Sequence, residues 1–175
     1  MSSNKLLIIN GAAILACAVF DYSLRAFTLT TLLLLLPFID RTWHAANQPF
    51  DLSSIKLWLG LLSIITLIIL VNPNFLNITI TTLVFTALPE EWFFRAYFMT
   101  QLQKTLNHKW AANVLSSTFF ALLHTPTQGW FAISIIIPSL FFGWVYQRNH
   151  DIILVILLHT LSNIVFLIYL VQYIN

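Results

Sequence analysis

Leu88-Pro89-Glu90-Glu91-Trp92-Phe93-Phe94-Arg95 sets two adjacent glutamates and an arginine inside an apolar run that extends from 76 to 106. The whole chain of 175 residues has only six acidic side chains, so a third of them stand here. An ionised side chain at the centre of a bilayer costs roughly 2.5–3.5 kcal/mol on insertion scales. An acidic pair with a cation four residues later is therefore read as a functional site.

Composition makes the bilayer the solvent to assume. The chain is 59% hydrophobic and 8% charged, with a mean hydropathy of +0.85, where soluble domains carry about 25% charged residues. The expected fold class is all-α, a polytopic membrane helix bundle forming a single membrane domain over 1–175, with the chemistry confined to 85–165. A formal net charge of +2 is too small to point to nucleic acid. The single cysteine, Cys17, excludes an intramolecular disulfide and reads as a buried, inert thiol. Lys5 and the apolar stretch after it resemble a signal peptide, but the run ends in Phe20-Asp21-Tyr22 without a small-residue cleavage site, so a retained first helix is expected.

Interruptions divide the chain into apolar segments over 6–20, 25–39, 57–71, 76–106, 110–125, 130–147 and 151–173, which gives about seven membrane spans, with six to eight as the range. The first two segments together are too long for one straight span, so a short hairpin turning at Asp21–Arg25 is expected. Asn72-Pro73-Asn74 and Thr125-Pro126-Thr127-Gln128-Gly129 read as turns, and Asp40–Lys56 as a loop. With the N-terminus inside, Lys5, Arg41, Lys56, Lys104, Lys109 and Arg148 fall on the cytoplasmic side and only Arg25 outside. That six-to-one bias predicts an N-in, C-out orientation.

Three short motifs carry the chemistry. In Glu90-Glu91-x-x-x-Arg95, helical spacing lets Glu91 and Arg95 pair, leaving Glu90 free to face a cavity and hold a water. A packing ion pair explains Glu91 and Arg95 but not Glu90. Pro89 cannot donate to the Phe85 carbonyl, which is expected to kink the helix beside the acids. Phe120-x-x-x-His124 puts a ring and an imidazole on one helical face. His159-x-x-x-Asn163 does the same with an amide, eight residues into the last segment. His44, His108 and His150 fall in predicted loops and read as bystanders.

A carboxylate in a low-dielectric pocket serves as a general base near neutral pH. Glu90, His124 and His159 can complete a site for a divalent metal such as zinc, with a position left for water. Without metal, the imidazoles orient the water and Asn163 serves as an oxyanion donor. Both routes hydrolyse a peptide bond inside the membrane. No G-x-S-x-G, H-E-x-x-H or Walker loop is present.

These motifs, in this order on successive helices, resemble the signature of the CAAX prenyl endopeptidase type II and bacteriocin-processing (CPBP) family of intramembrane proteases. Phe142-Gly143-Trp144-Val145-Tyr146 is similar to the family's glycine-bearing helix, although a glycine that the family carries before Gly143 is absent. The resemblance spans residues 85–165. It implies an integral membrane endopeptidase with Glu90 as base, His124 and His159 as water or metal partners, and Asn163 as oxyanion or substrate contact. Glu91, Arg95 and Phe120 would support them. The small chain resembles compact bacterial peptidases that trim C-terminal sorting tails (the JDVT-CTERM type). The expected partners are the bilayer and a membrane-anchored protein or peptide cleaved near its C-terminus, in a bacterial inner membrane. A non-catalytic immunity or scaffold role in the same family, and a proton-coupled transporter relaying through Glu90, remain alternatives. The transporter reading lacks an inverted repeat or paired broken helices.

By residue count, His124 lies near the outer end of its helix and His159 nearer the inner end of its own. They can meet only through tilt or offset. Trp43, Trp58, Trp110 and Trp130 fall at segment ends and are expected in the interfacial belt, as most of the Phe side chains are expected on lipid or at the interface. Trp92 and Phe93 are expected to pack, or to shape a groove beside the glutamates.

Overall fold

The computed structural model describes residues 3–17, 22–44 and 54–170, and these are all-helical, with no strand among them. They form α1 (Ser3–Cys17), α2 (Tyr22–Ile39), α3 (Ile55–Val71), α4 (75–106), α5 (Lys109–Gln128), α6 (Ile136–Asn149) and α7 (Ile152–Val165). A 3₁₀ stretch, Gly129–Ile135, links α5 to α6, and wide turns at Phe166–Leu170 extend α7. Tyr22 to Arg25 already belong to α2, so most of the expected Asp21–Arg25 turn is helical, and Asp21 lies outside the described residues. The side chain of Cys17 and residues 45–53 lie outside the described part.

Caps explain where the rods stop. Asn72 ends α3 with its N–H on the Ile68 carbonyl, and its side chain accepts from the Asn74 N–H at 3.1 Å, which makes the expected turn. Asn107 (φ 50°) and His150 (φ 52°) close α4 and α6 in the left-handed conformation. His108 and Asp151 then cap the next helices by accepting from the N–H groups of Ala111 and Leu154. His108 and His150 thus work as caps.

The 125–129 turn is displaced. α5 runs through Pro126 to Gln128, and the chain reverses at Gly129, whose φ of 55° suits glycine alone. Proline leaves the Leu122 carbonyl without its helical donor, and the Thr125 hydroxyl occupies that carbonyl at 2.8 Å. Residues 109–149 form one stretch long and apolar enough to cross a membrane. It is folded back on itself, because Asn113 donates to the Leu140 carbonyl and Gln147 to that of Lys109. Gly143 permits the crossing, since a Cβ there would land on the Asn113 side chain.

Pro89 also acts differently from a simple kink. The turns on both sides of the glutamates, Thr82–Ala87 and Trp92–Met99, widen to i→i+5 hydrogen bonding. The Phe85 carbonyl that Pro89 cannot serve receives the Thr30 hydroxyl of α2 at 3.3 Å. Three consecutive carbonyls in the second wide stretch take side-chain donors. Ser116 reaches Phe94 at 2.8 Å, Thr100 reaches Arg95 at 3.1 Å, and Trp43 reaches Ala96 at 2.9 Å.

Among the described residues, large apolar side chains are exposed along the outside of the helices, and polar groups are buried within an otherwise apolar core. Val71, Phe27 and Ile137 are exposed at the outside of their helices, which a soluble monomer avoids at this scale. Asn10, Asp40, Gln101, Asn113, Ser139 and Asp151 are buried, as are the two glutamates and Arg95. Asp40, just past α2, accepts from Thr42, from Gln101 at 2.7 Å and from Tyr97 at 3.3 Å, while Asn10 of α1 donates to the same Tyr97 hydroxyl. Asp151 accepts from the Trp58 indole at 2.7 Å.

The aromatic expectation is corrected in part. Trp110 and Trp130 are exposed, but Trp43 is buried edge-on to Trp92 and Tyr97, and Phe93, Phe94, Phe98, Phe120 and Phe142 are core residues. Trp43 is drawn inward because its indole N–H has the Ala96 carbonyl to serve. Trp92 packs on Phe38 and Trp43, and Phe93 on Phe94, Tyr97 and Phe98.

Candidate active site

Glu90 and Glu91 project from a short α-helical piece of α4, Leu88–Glu91, caught between the two widened turns. Both are buried, and α7 packs against this part of α4. Glu91 is fixed on two sides. Its Oε2 lies 3.1 Å from Arg95 Nε, an ion pair one helical turn long, and its Oε1 lies 2.7 Å from His159 Nδ1. Arg95 is wholly buried, donates from Nη2 to Ser139 Oγ of α6 at 2.8 Å, and stacks its guanidinium 5.4 Å from the centre of the Phe120 ring.

Glu90 stands apart from that pair and bridges the two imidazoles. Its Oε1 is 3.8 Å from His124 Nε2 and its Oε2 is 3.8 Å from His159 Nε2. Both separations exceed a direct hydrogen bond and suit bridging by a water. Among the described residues, Glu90 Oε2 is buried without a hydrogen-bond partner.

Each imidazole is oriented from behind. His124 Nδ1 lies 2.8 Å from the Phe120 carbonyl, and His159 Nδ1 faces Glu91. Both partners accept only, so the network assigns the Nδ1 proton to each ring and turns each Nε2 toward Glu90. Phe120 sits between them, 4.8 Å from the His124 ring and 5.9 Å from that of His159. Phe142 stacks on the other side of His159 at 5.3 Å. The two rings do meet at Glu90, and that of His124 points back one turn toward Phe120. Asn163 lies one turn beyond His159 on α7 and is half-buried.

The structure therefore gathers Glu90, Glu91, Arg95, Phe120, His124 and His159 from α4, α5 and α7. Two imidazole Nε2 atoms and a carboxylate, with Glu91 behind one imidazole, are a donor set chemically suited to zinc. Yet among the described residues no group of three His, Cys, Asp or Glu side chains is spaced to hold a metal ion. What the arrangement offers directly is a carboxylate facing two ring nitrogens across gaps of 3.8 Å.

Ser139 was not singled out in the sequence, and Phe142 entered only within the Phe142–Tyr146 stretch, with no role of its own. Ser139 is legible in retrospect as Ser-x-x-x-Gly with Gly143, the small-residue spacing of close helix crossings in membranes. Phe142 carries no local signal, because its partner His159 is on another helix.

Residues 72–165 match the family described as type II CAAX prenyl endopeptidase Rce1-like, a span that takes in all three motifs. No curated protein and no solved structure matches the chain.

Proposed function

The chain belongs to the Rce1-like family of type II CAAX prenyl endopeptidases, and from that premise we propose that it is an intramembrane endopeptidase in which Glu90 activates a water. The observation that carries this reading is Glu90, buried and facing two imidazole Nε2 atoms that are each anchored through Nδ1.

A water between Glu90 and the imidazoles gives its proton to the carboxylate as its oxygen attacks the scissile carbonyl carbon. The Glu90 carboxyl then passes that proton to the leaving amine as the C–N bond breaks, so the residue ends as it began. A neutral His124 or His159 accepts from the water through Nε2, and a protonated one donates to the oxyanion. Asn163 is the amide donor to that oxyanion or to the substrate backbone. Glu91, Arg95 and Phe120 keep His159 and His124 in place. A divalent cation held by Glu90, His124 and His159 would supply Lewis-acid assistance in the same place.

The substrate class is a membrane-associated or lipid-anchored protein, cut near its C-terminus. Seven passes with the N-terminus inside a bacterial cytoplasmic membrane agree with the six-to-one cation bias.

The test is co-expression with candidate membrane-anchored substrates, comparing intact masses for wild type, Glu90→Gln and His159→Ala. A C-terminal truncation produced by wild type alone is expected. Identical truncation by inserted, folded Glu90→Gln overturns the mechanism, and no truncation with any substrate favours an immunity or scaffold role.

A further inference from the structure

We infer that the foot of α4 and the start of α5 form a binding site for the phosphate-bearing headgroup of an anionic lipid. Thr100, Gln103, Lys104, Asn107, His108 and Lys109 line a pocket of ≈ 390 Å³. Two lysines line it and no carboxylate does. Neither ammonium is engaged in an ion pair among the described residues. The left-handed Asn107 turns the chain sharply enough that Lys104, at the end of α4, and Lys109, at the start of α5, share one pocket.

His108 adds a donor. Its Nδ1 accepts from the Ala111 N–H, so the neutral ring carries its proton on Nε2. Gln103 and Asn107 bring amide N–H groups. On α6, Gln147 donates to the Lys109 carbonyl and Arg148 is the next residue, so a further cation follows close by in sequence. Ammonium and N–H donors without a competing carboxylate match the oxygens of a phosphate ester.

The position favours a lipid over a soluble phosphate. Trp110, which follows the last lining residue, is 57% exposed, and Leu106, between Lys104 and Asn107, is 41% exposed. An exposed Trp beside lysines at a span end is how a chain meets the headgroup layer. Basic pockets between transmembrane helices on the cytoplasmic side hold such headgroups. The site is about ten residues of helix away from Glu90 and does not depend on catalysis.

The experiment is native mass spectrometry of the full chain released from detergent, with added phosphatidylglycerol or phosphatidylcholine of the same acyl chains. Wild type should retain one phosphatidylglycerol and shed phosphatidylcholine. Lys104→Gln/Lys109→Gln should weaken retention by roughly fivefold per lysine, about 25-fold together. Lys104→Arg/Lys109→Arg should retain it, which separates charge from folding. Equal retention of both lipids, or unchanged retention by the double Gln variant, overturns the site. So does an equal loss in Lys5→Gln/Lys56→Gln, which would mean diffuse surface charge. Glycerol phosphate binding as tightly as the lipid would reassign the pocket to a free phosphate and overturn the lipid.

Discussion

Glu91 and His159, 68 residues apart in the chain, meet through a 2.7 Å contact between Oε1 and Nδ1, and this contact joins the α4 ion pair to the imidazole that faces Glu90. Glu91 is therefore more than the partner of Arg95: it decides which ring nitrogen of His159 looks into the site.

Replacing Glu91 by Ala leaves Arg95 buried with Ser139 as its one hydrogen-bonded side-chain partner among the described residues. Removing one member of a buried pair costs about 3–5 kcal/mol. The expected outcome in detergent is a large fall in thermal midpoint, with Arg95→Ala similar and Glu90→Gln close to wild type. A midpoint for Glu91→Ala within a degree or two of wild type would sink this assignment.

Asn163 separates chemistry from folding. It is half-buried, whereas its neighbours Thr160 and Ile164 are buried. Asn163→Ala is expected to slow cleavage by about 10²–10³, as for other oxyanion donors, with the melting profile unchanged. Full activity in that variant removes Asn163 from the site.

Gly143→Ala puts a methyl group onto the Asn113 side chain, which itself ties α5 to the Leu140 carbonyl. Overpacking of this kind costs about 1–3 kcal/mol. Adding Asn113→Ala should recover part of the loss, because it removes the obstruction. If the double variant is no more stable than Gly143→Ala alone, steric conflict is not the cause.

Asp40 gives a pH dependence outside the membrane spans. Burial pushes its carboxyl up, but hydrogen bonds from Thr42, Gln101 and Tyr97 outweigh burial and hold it below the usual aspartate range. A depressed folded-state value means that the stabilisation is complete above the unfolded value of about 4 and is lost as pH falls through the folded one. Unfolding curves taken from about pH 6 to about pH 3 should show wild type weakening on acidification. Asp40→Asn should begin weaker and change less over that range, and parallel curves would contradict the argument.

The all-helical membrane class and the family-bearing motifs were legible because each is a local pattern of hydrophobicity or helical spacing. The role of Glu91 toward His159 was not, since a pairing across 68 residues leaves no trace in local sequence. The continuation of α5 through Pro126 was missed for a related reason. A proline signals a helix end unless another donor serves the freed carbonyl, and here that donor is the adjacent Thr125. Trp43 read as interfacial because its acceptor, the Ala96 carbonyl, becomes visible only once α4 is folded beside it. The widened turns are likewise a tertiary property, sustained by donors from outside α4.

Those outside donors make the shape of α4 depend on its neighbours. Trp43, which serves the Ala96 carbonyl, precedes α4 in the chain, whereas Ser116, which serves the Phe94 carbonyl, follows it on α5. α4 by itself thus lacks one of the props that hold its backbone open, and His124 and His159 lie further on in the chain. The geometry around the glutamates is therefore complete only when α5 and α7 are both packed against α4, so the candidate site belongs to the assembled bundle and to no single span.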